Sequence, residues 1–157
     1  EREKRACGGQ PDPKPKFEGH EYILGRQLKP EARTDIIERL AEAGIVPTSM
    51  IDITDGLASE TLHLCKSSGC GARIYLDRLP IARQTHDMAE ELHADPVVAA
   101  LNGGQDYELL FTVPLSKQQE IFALGVDVIG HVTAAGTGAM LVTPDGSEIA
   151  LKAPGWK

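Results

Sequence analysis

Hydrophobic positions recur at two different periods along the chain, and the switches between them mark out its elements. In EARTDIIERLAEAG (31–44), Ile36, Ile37, Leu40 and Ala41 fall three and four residues apart, which lines one face of a helix, and Gly44 supplies its stop. SMIDIT (49–54) is rich in β-formers, and after it Leu57, Ala58, Thr61, Leu62, Leu64 and Cys65 return at helical spacing until Ser68-Gly69. The stretch therefore predicts strand, turn, helix. ARIYL (72–76) predicts the next strand, followed by helical pieces over 80–92 and 96–101 that Asp95-Pro96 separates. DYELLFTV (106–113) predicts a buried strand, SKQQEIFALG a short helix and DVIGHV another strand. AMLVTPDGSEIAL reads as two strands joined by a Pro-Asp-Gly turn. Strands that interleave with helices but close on a hairpin imply an α+β fold, a layered sandwich with a mixed sheet, more than a purely parallel one.

Ahead of these elements, GGQPDPKPKFEGH (8–20) combines three prolines, three glycines and alternating charges, the composition of an extended linker. The opening EREKRACGG reads as the tail of a helix leaving another unit. Residues 1–25 are thus expected to be an arm from an amino-terminal domain not included here, and residues 26–157 the folded domain.

Composition narrows the partners. The chain has 157 residues, 41% hydrophobic and 25% charged, enough for one core of useful size. A formal charge of −7 argues against a nucleic-acid backbone as ligand, because such binders concentrate Lys and Arg. Small phosphate esters stay open, provided that divalent cations stand between the two anions. No apolar run approaches the roughly 20 residues that span a bilayer, so no membrane role is expected and a cytoplasmic location is. Cys7, Cys65 and Cys70 lack the spacing of a zinc site and are expected as free thiols. The five histidines form no ligand pair, and Arg33, Arg73, Arg78 and Arg83 are expected to be solvated, with Arg33 the one candidate for a phosphate clamp.

Two segments carry candidate chemistry. In MIDITDGLA, strand alternation puts Met50, Asp52 and Thr54 on one face and Ile51 and Ile53 on the other, so Asp52 projects from a strand that reads as buried. A buried carboxylate costs roughly several kcal/mol unless a cation or several donors meet it. Asp55 stands where it can cap the following helix, and equally where it can join Asp52 in holding Mg²⁺, which takes one or two carboxylates plus phosphate oxygens and water. Thr54, beside a helix N-terminus, can offer a hydroxyl to a bound phosphate. In LNGGQDYELLFTVP, two glycines directly precede a strand, where backbone can approach a ligand closely or simply turn.

Taken together and in this order, MIDITDGLA, KSSGCGARI and LNGGQDYELLFTVP resemble the second half of the thiamine-monophosphate kinases. That family is part of the superfamily of aminoimidazole ribonucleotide synthetase and selenophosphate synthetase. The resemblance covers about Leu28 to Trp156, and it implies the layered fold of the synthetase's C-terminal domain. It also implies transfer of the γ-phosphoryl of ATP to thiamine monophosphate, giving thiamine diphosphate, with Mg²⁺ and no covalent enzyme intermediate. Asp52 and Asp55 match metal ligands, and Thr54 stands at a serine that contacts the nucleotide. Gln105 stands where the family has a glutamate at the thiamine substrate. Trp156 matches a C-terminal aromatic on that substrate, though as the sole tryptophan it can equally anchor the tail. The resemblance implies no catalytic side chain, a homodimer formed through the amino-terminal domain, and no activity for this chain alone.

Overall fold

The structure, a computed structural model, describes residues 18–104 and 107–153. In chain order the helices are α1 (Glu21–Leu28), α2 (Thr34–Glu42), α3 (Leu57–Ser68), α4 (Arg83–Glu91), α5 (Pro96–Asn102) and α6 (Gln118–Ala123). The strands are β1 (Ser49–Asp52), β2 (Gly71–Tyr75), β3 (Leu109–Thr112), β4 (Gly130–Thr133), β5 (Ala139–Val142) and β6 (Glu148–Ala150). Four of the strands form a mixed sheet in the order β4-β2-β5-β6, in which β2 and β5 run parallel and the other pairs antiparallel. The expected α+β class with a mixed sheet is therefore what the chain adopts.

β1 and β3 stand apart from that sheet as an antiparallel pair, with Ser49 opposite Thr112 and Asp52 opposite Leu109. One apolar cluster gathers Ile53, Leu57, Ala58 and Cys65 with Ala72, Ile74 and Leu141 of the mixed sheet. A second gathers Ile36, Leu40, Ile45 and Ile121. The β1–β3 pair stands between them: Met50, Leu109 and Phe111 pack on the second cluster, while Ile53 and Leu110 belong to or touch the first. Strand alternation thus serves two cores at once, with odd positions of β3 turned to one and Leu110 to the other. β3 is half-buried along its length, not fully buried as its composition suggests.

α2 ends where Gly44 takes φ +64, and α3 ends on left-handed Gly69, whose successor Cys70 donates its N–H back to the Cys65 carbonyl at 3.0 Å. α1 crosses the expected junction at residues 25 and 26, in a segment with no strong apolar period. Its place is set by tertiary contacts: Arg26 donates to Glu108 Oε1 at 2.6 Å, and Arg33 donates to Glu108 Oε2.

Candidate functional site

β1 delivers Asp52 to its end, and a four-residue turn, 53–56, carries the chain into α3. Two backbone bonds bind this turn to the segment before β3. Ile53 N–H donates to the Glu108 carbonyl at 2.8 Å, and Tyr107 N–H donates to the Ile53 carbonyl at 3.1 Å. Two glycines then let the backbones meet. A Cβ on Gly56 would stand 2.6 Å from the Leu101 carbonyl oxygen and 3.0 Å from Asn102 Cα. A Cβ on Gly104 would stand 2.6 Å from the Thr54 carbonyl oxygen. Both glycines have positive φ, +107 and +66, a region that a side chain opposes. The two sequence segments singled out for chemistry therefore form one locus, built from touching backbones.

Strain concentrates there as well. Tyr107 holds φ +54, an unusual state for a bulky residue that costs on the order of 1–3 kcal/mol and persists only where its surroundings over-determine it. Asn102, whose backbone adjoins Gly56, carries a buried Oδ1 with no hydrogen-bond partner among the described residues. Neither feature is visible in residue periodicity.

Asp52, Thr54 and Asp55 are all exposed, which corrects two sequence expectations. Asp52 is the exposed last residue of β1, so there is no burial cost that calls for a cation. Asp55 is not the helix cap: Gly56 occupies that position and makes no side-chain cap hydrogen bond. Among the described residues neither carboxylate takes part in an ion pair. Two unpaired, solvent-facing carboxylates three residues apart suit a hard divalent cation that draws its other ligands from phosphate and water. No group of three or more His, Cys, Asp or Glu that could hold a metal occurs among the described residues. Gln105 and Trp156 lie outside the described residues.

The side chain that sequence reasoning passed over is Glu60. It sits in the first turn of α3, 3% exposed, and its Oε1 accepts from Thr54 Oγ1 at 3.3 Å and from Asp55 N–H at 3.2 Å. The acid reaches back beyond the Gly56 cap to the turn before the helix, a one-way contact and not the reciprocal pair of a capping box. A glutamate four residues after the Asp-Gly boundary was the available signal.

The arginines also depart from expectation. Arg33 is fixed between Asp35, at 2.9 and 3.0 Å, and Glu108, and the Asp35 hydrogen bonds together with Glu108 push its guanidinium further into its charged form. It is a structural strut rather than a free clamp. Arg73 bridges to Glu148 at 2.7 Å, and Arg78 stacks 4.9 Å over the Tyr75 ring. Cys65 and Cys70 are free thiols, and burial, with Cys70 alongside, pushes the Cys65 thiol up to about 11. No helix among the described residues is long and apolar enough to cross a membrane.

Known proteins resemble this chain in sequence and in fold. The family of AIR synthase related proteins, in its C-terminal domain, matches residues 3–143. Thiamine-monophosphate kinase from Aquifex aeolicus (strain VF5) is 32% identical over 135 residues, spanning 86% of this chain and 40% of that protein. The Escherichia coli (strain K12) thiamine-monophosphate kinase is 38% identical over 146 residues, spanning 87% of this chain and 41% of that protein. Among solved structures, the Aquifex aeolicus thiamine monophosphate kinase superposes with a TM-score of 0.70 at 30% identity, over 90% of this chain and 44% of that one. AaThiL complexed with AMPPCP and TMP superposes with a TM-score of 0.69 at 32% identity, over 87% of this chain and 41% of that one. Escherichia coli HypE, a hydrogenase maturation protein, shares the fold with a TM-score of 0.65 at 22% identity. The chain spans about two fifths of the length of these curated relatives.

Proposed function

This chain belongs to the AIR synthase related protein family, as its C-terminal domain, and from that premise we propose that it is the C-terminal part of an ATP-dependent thiamine-monophosphate kinase. The observation that carries the reading is the contact between the 53–56 turn and residues 101–104, which joins the two motif segments into one surface. The naming of its curated relatives as thiamine-monophosphate kinases, and a neighbour complexed with AMPPCP and TMP, support the substrates.

The reaction breaks the bond between the γ-phosphorus of ATP and its bridging oxygen and forms one to a phosphate oxygen of thiamine monophosphate, releasing ADP. Donor and acceptor are both anionic, so positioning and charge neutralisation supply most of the catalysis and no nucleophilic side chain is required. Asp52 and Asp55 are the residues that would hold Mg²⁺, which when bound neutralises charge between the two anions. Thr54 contacts the nucleotide through its hydroxyl, Gln105 accepts from the thiamine part, and Trp156 packs on the same substrate. Further ligands come from the amino-terminal half, through which the full-length protein dimerises, and this chain alone is inactive. The decisive experiment supplies ATP, Mg²⁺ and thiamine monophosphate to the full-length protein and to residues 1–157 separately. Thiamine diphosphate should form only with the former. No product from either would favour a ligand-binding domain that has kept the fold without the chemistry.

A further inference from the structure

Glu60 is the least explained charge in the domain. At 3% exposure it should be matched by a cation, since an uncompensated buried carboxylate is strongly unfavourable, yet among the described residues none pairs with it. Among the described residues the partners of its side chain lie in the turn between β1 and α3: the Thr54 hydroxyl and the Asp55 N–H meet on one oxygen, Oε1. A cap alone would need the N–H and not the hydroxyl, and an exposed acid would perform it at less cost.

We propose that Glu60 is a positioning residue for nucleotide binding, which fixes the Thr54–Asp55 turn and orients the Thr54 hydroxyl from beneath. As a carboxylate it can only accept, so the Thr54 proton points inward and the lone pairs of Oγ1 face the solvent side. The backbone of the same turn is pinned from the other flank, where Gly104 packs on the Thr54 carbonyl and Ile53 bonds to Glu108. Thr54 is thus held at its side chain by Glu60 and at its carbonyl by Gly104, while its exposed face stays free for a ligand. This inference rests on the assignment of Thr54 to the nucleotide.

The test uses the full-length protein with Glu60→Gln, which keeps size and one acceptor oxygen, Thr54→Val, and the double variant. Glu60→Asp, which keeps the charge on a shorter stem, takes the place of Glu60→Gln if that variant does not fold. Michaelis constants for ATP and thiamine monophosphate are measured, together with direct ATP binding by calorimetry. The constant for ATP should rise about fivefold in Glu60→Gln with that for thiamine monophosphate unchanged, and the double variant should be no worse than Thr54→Val, because the two residues act as one unit. Additive effects, an equal rise in both constants, or a lowered melting temperature with both constants unchanged would make Glu60 a structural brace of the turn and nothing more. Failure of the wild type to convert thiamine monophosphate would sink the kinase reading, while the same non-additivity in ATP binding would still uphold the role of Glu60. A wild type that binds no ATP would overturn both.

Discussion

Gly104 packs its α-carbon directly onto the carbonyl of Thr54, so closely that a methyl group there would lie 2.6 Å from the oxygen. Gly69, also left-handed at φ +61, has open space where its side chain would be. Replacing each with alanine separates conformational strain from collision. Gly69→Ala should cost about 1 kcal/mol, the strain alone, whereas Gly104→Ala should cost at least about 2–3 kcal/mol because backbone must also shift. Chemical denaturation of the two variants against wild type measures the difference. Equal losses would mean that the 101–104 segment does not hold the turn.

The carboxylates should behave in the opposite way. Asp52 and Asp55 are exposed, and no ion pair among the described residues includes them, so Asp52→Asn and Asp55→Asn should each change stability by no more than about 0.5 kcal/mol. In the full-length protein each should lower turnover by about a hundredfold or more, the scale of charge stabilisation that a bound cation supplies. Thermal melting and initial rates on the same preparations decide it. A variant that melts early but keeps normal activity per folded molecule would make that aspartate structural.

Which parts of this architecture were legible in the sequence follows from how local their causes are. The α3 helix, its left-handed Gly69 stop and the 144–146 turn between β5 and β6 obey short-range rules, and each lies where periodicity puts it. α1 escaped because its position depends on Arg26 reaching Glu108, eighty-two residues away. The separation of β1 and β3 from the larger sheet is likewise a question of long-range pairing, which no residue pattern encodes. At the site, the motif residues were legible but their environments were not. Asp52 reads as buried because its neighbours are apolar, yet it sits at the strand's last position, where the sheet ends. Glu60 stands out in no residue pattern, yet it is among the most buried polar groups described.

Alkaline pH should weaken the fold through Cys65. Its thiol is held up to about 11, above the ordinary value of 9.0, by burial first and by Cys70 beside it. A group whose pKa is raised in the folded state contributes stability that is complete below the unfolded value and is lost as pH rises through the folded one. The loss should therefore fall between about pH 9 and pH 11, where the unfolded chain sheds the proton that the folded chain keeps. Cys65→Ala should flatten the pH dependence of the unfolding midpoint across that window and leave it unchanged near pH 7 apart from a uniform offset. Parallel curves for the two proteins from pH 8 to pH 11 would show that the thiol is not the cause.

Gln105 provides the sharpest test, because there the sequence departs from the family it resembles. In the sequence the residue directly follows Gly104, the glycine that packs on the Thr54 carbonyl. A glutamate in that place offers two charged acceptor oxygens to a substrate amino group, whereas glutamine offers one neutral acceptor and adds two donors. Hydrogen bonds involving an ion are roughly twice as strong as neutral ones, so glutamine should weaken the thiamine contact without abolishing it. In the full-length protein, Gln105→Glu should lower the Michaelis constant for thiamine monophosphate about tenfold and leave that for ATP nearly unchanged, the signature of a contact made to one substrate alone. Steady-state kinetics at saturating Mg²⁺ compare the two proteins directly. An effect confined to ATP would make Gln105 a nucleotide contact and would transfer recognition of the thiamine part to other residues.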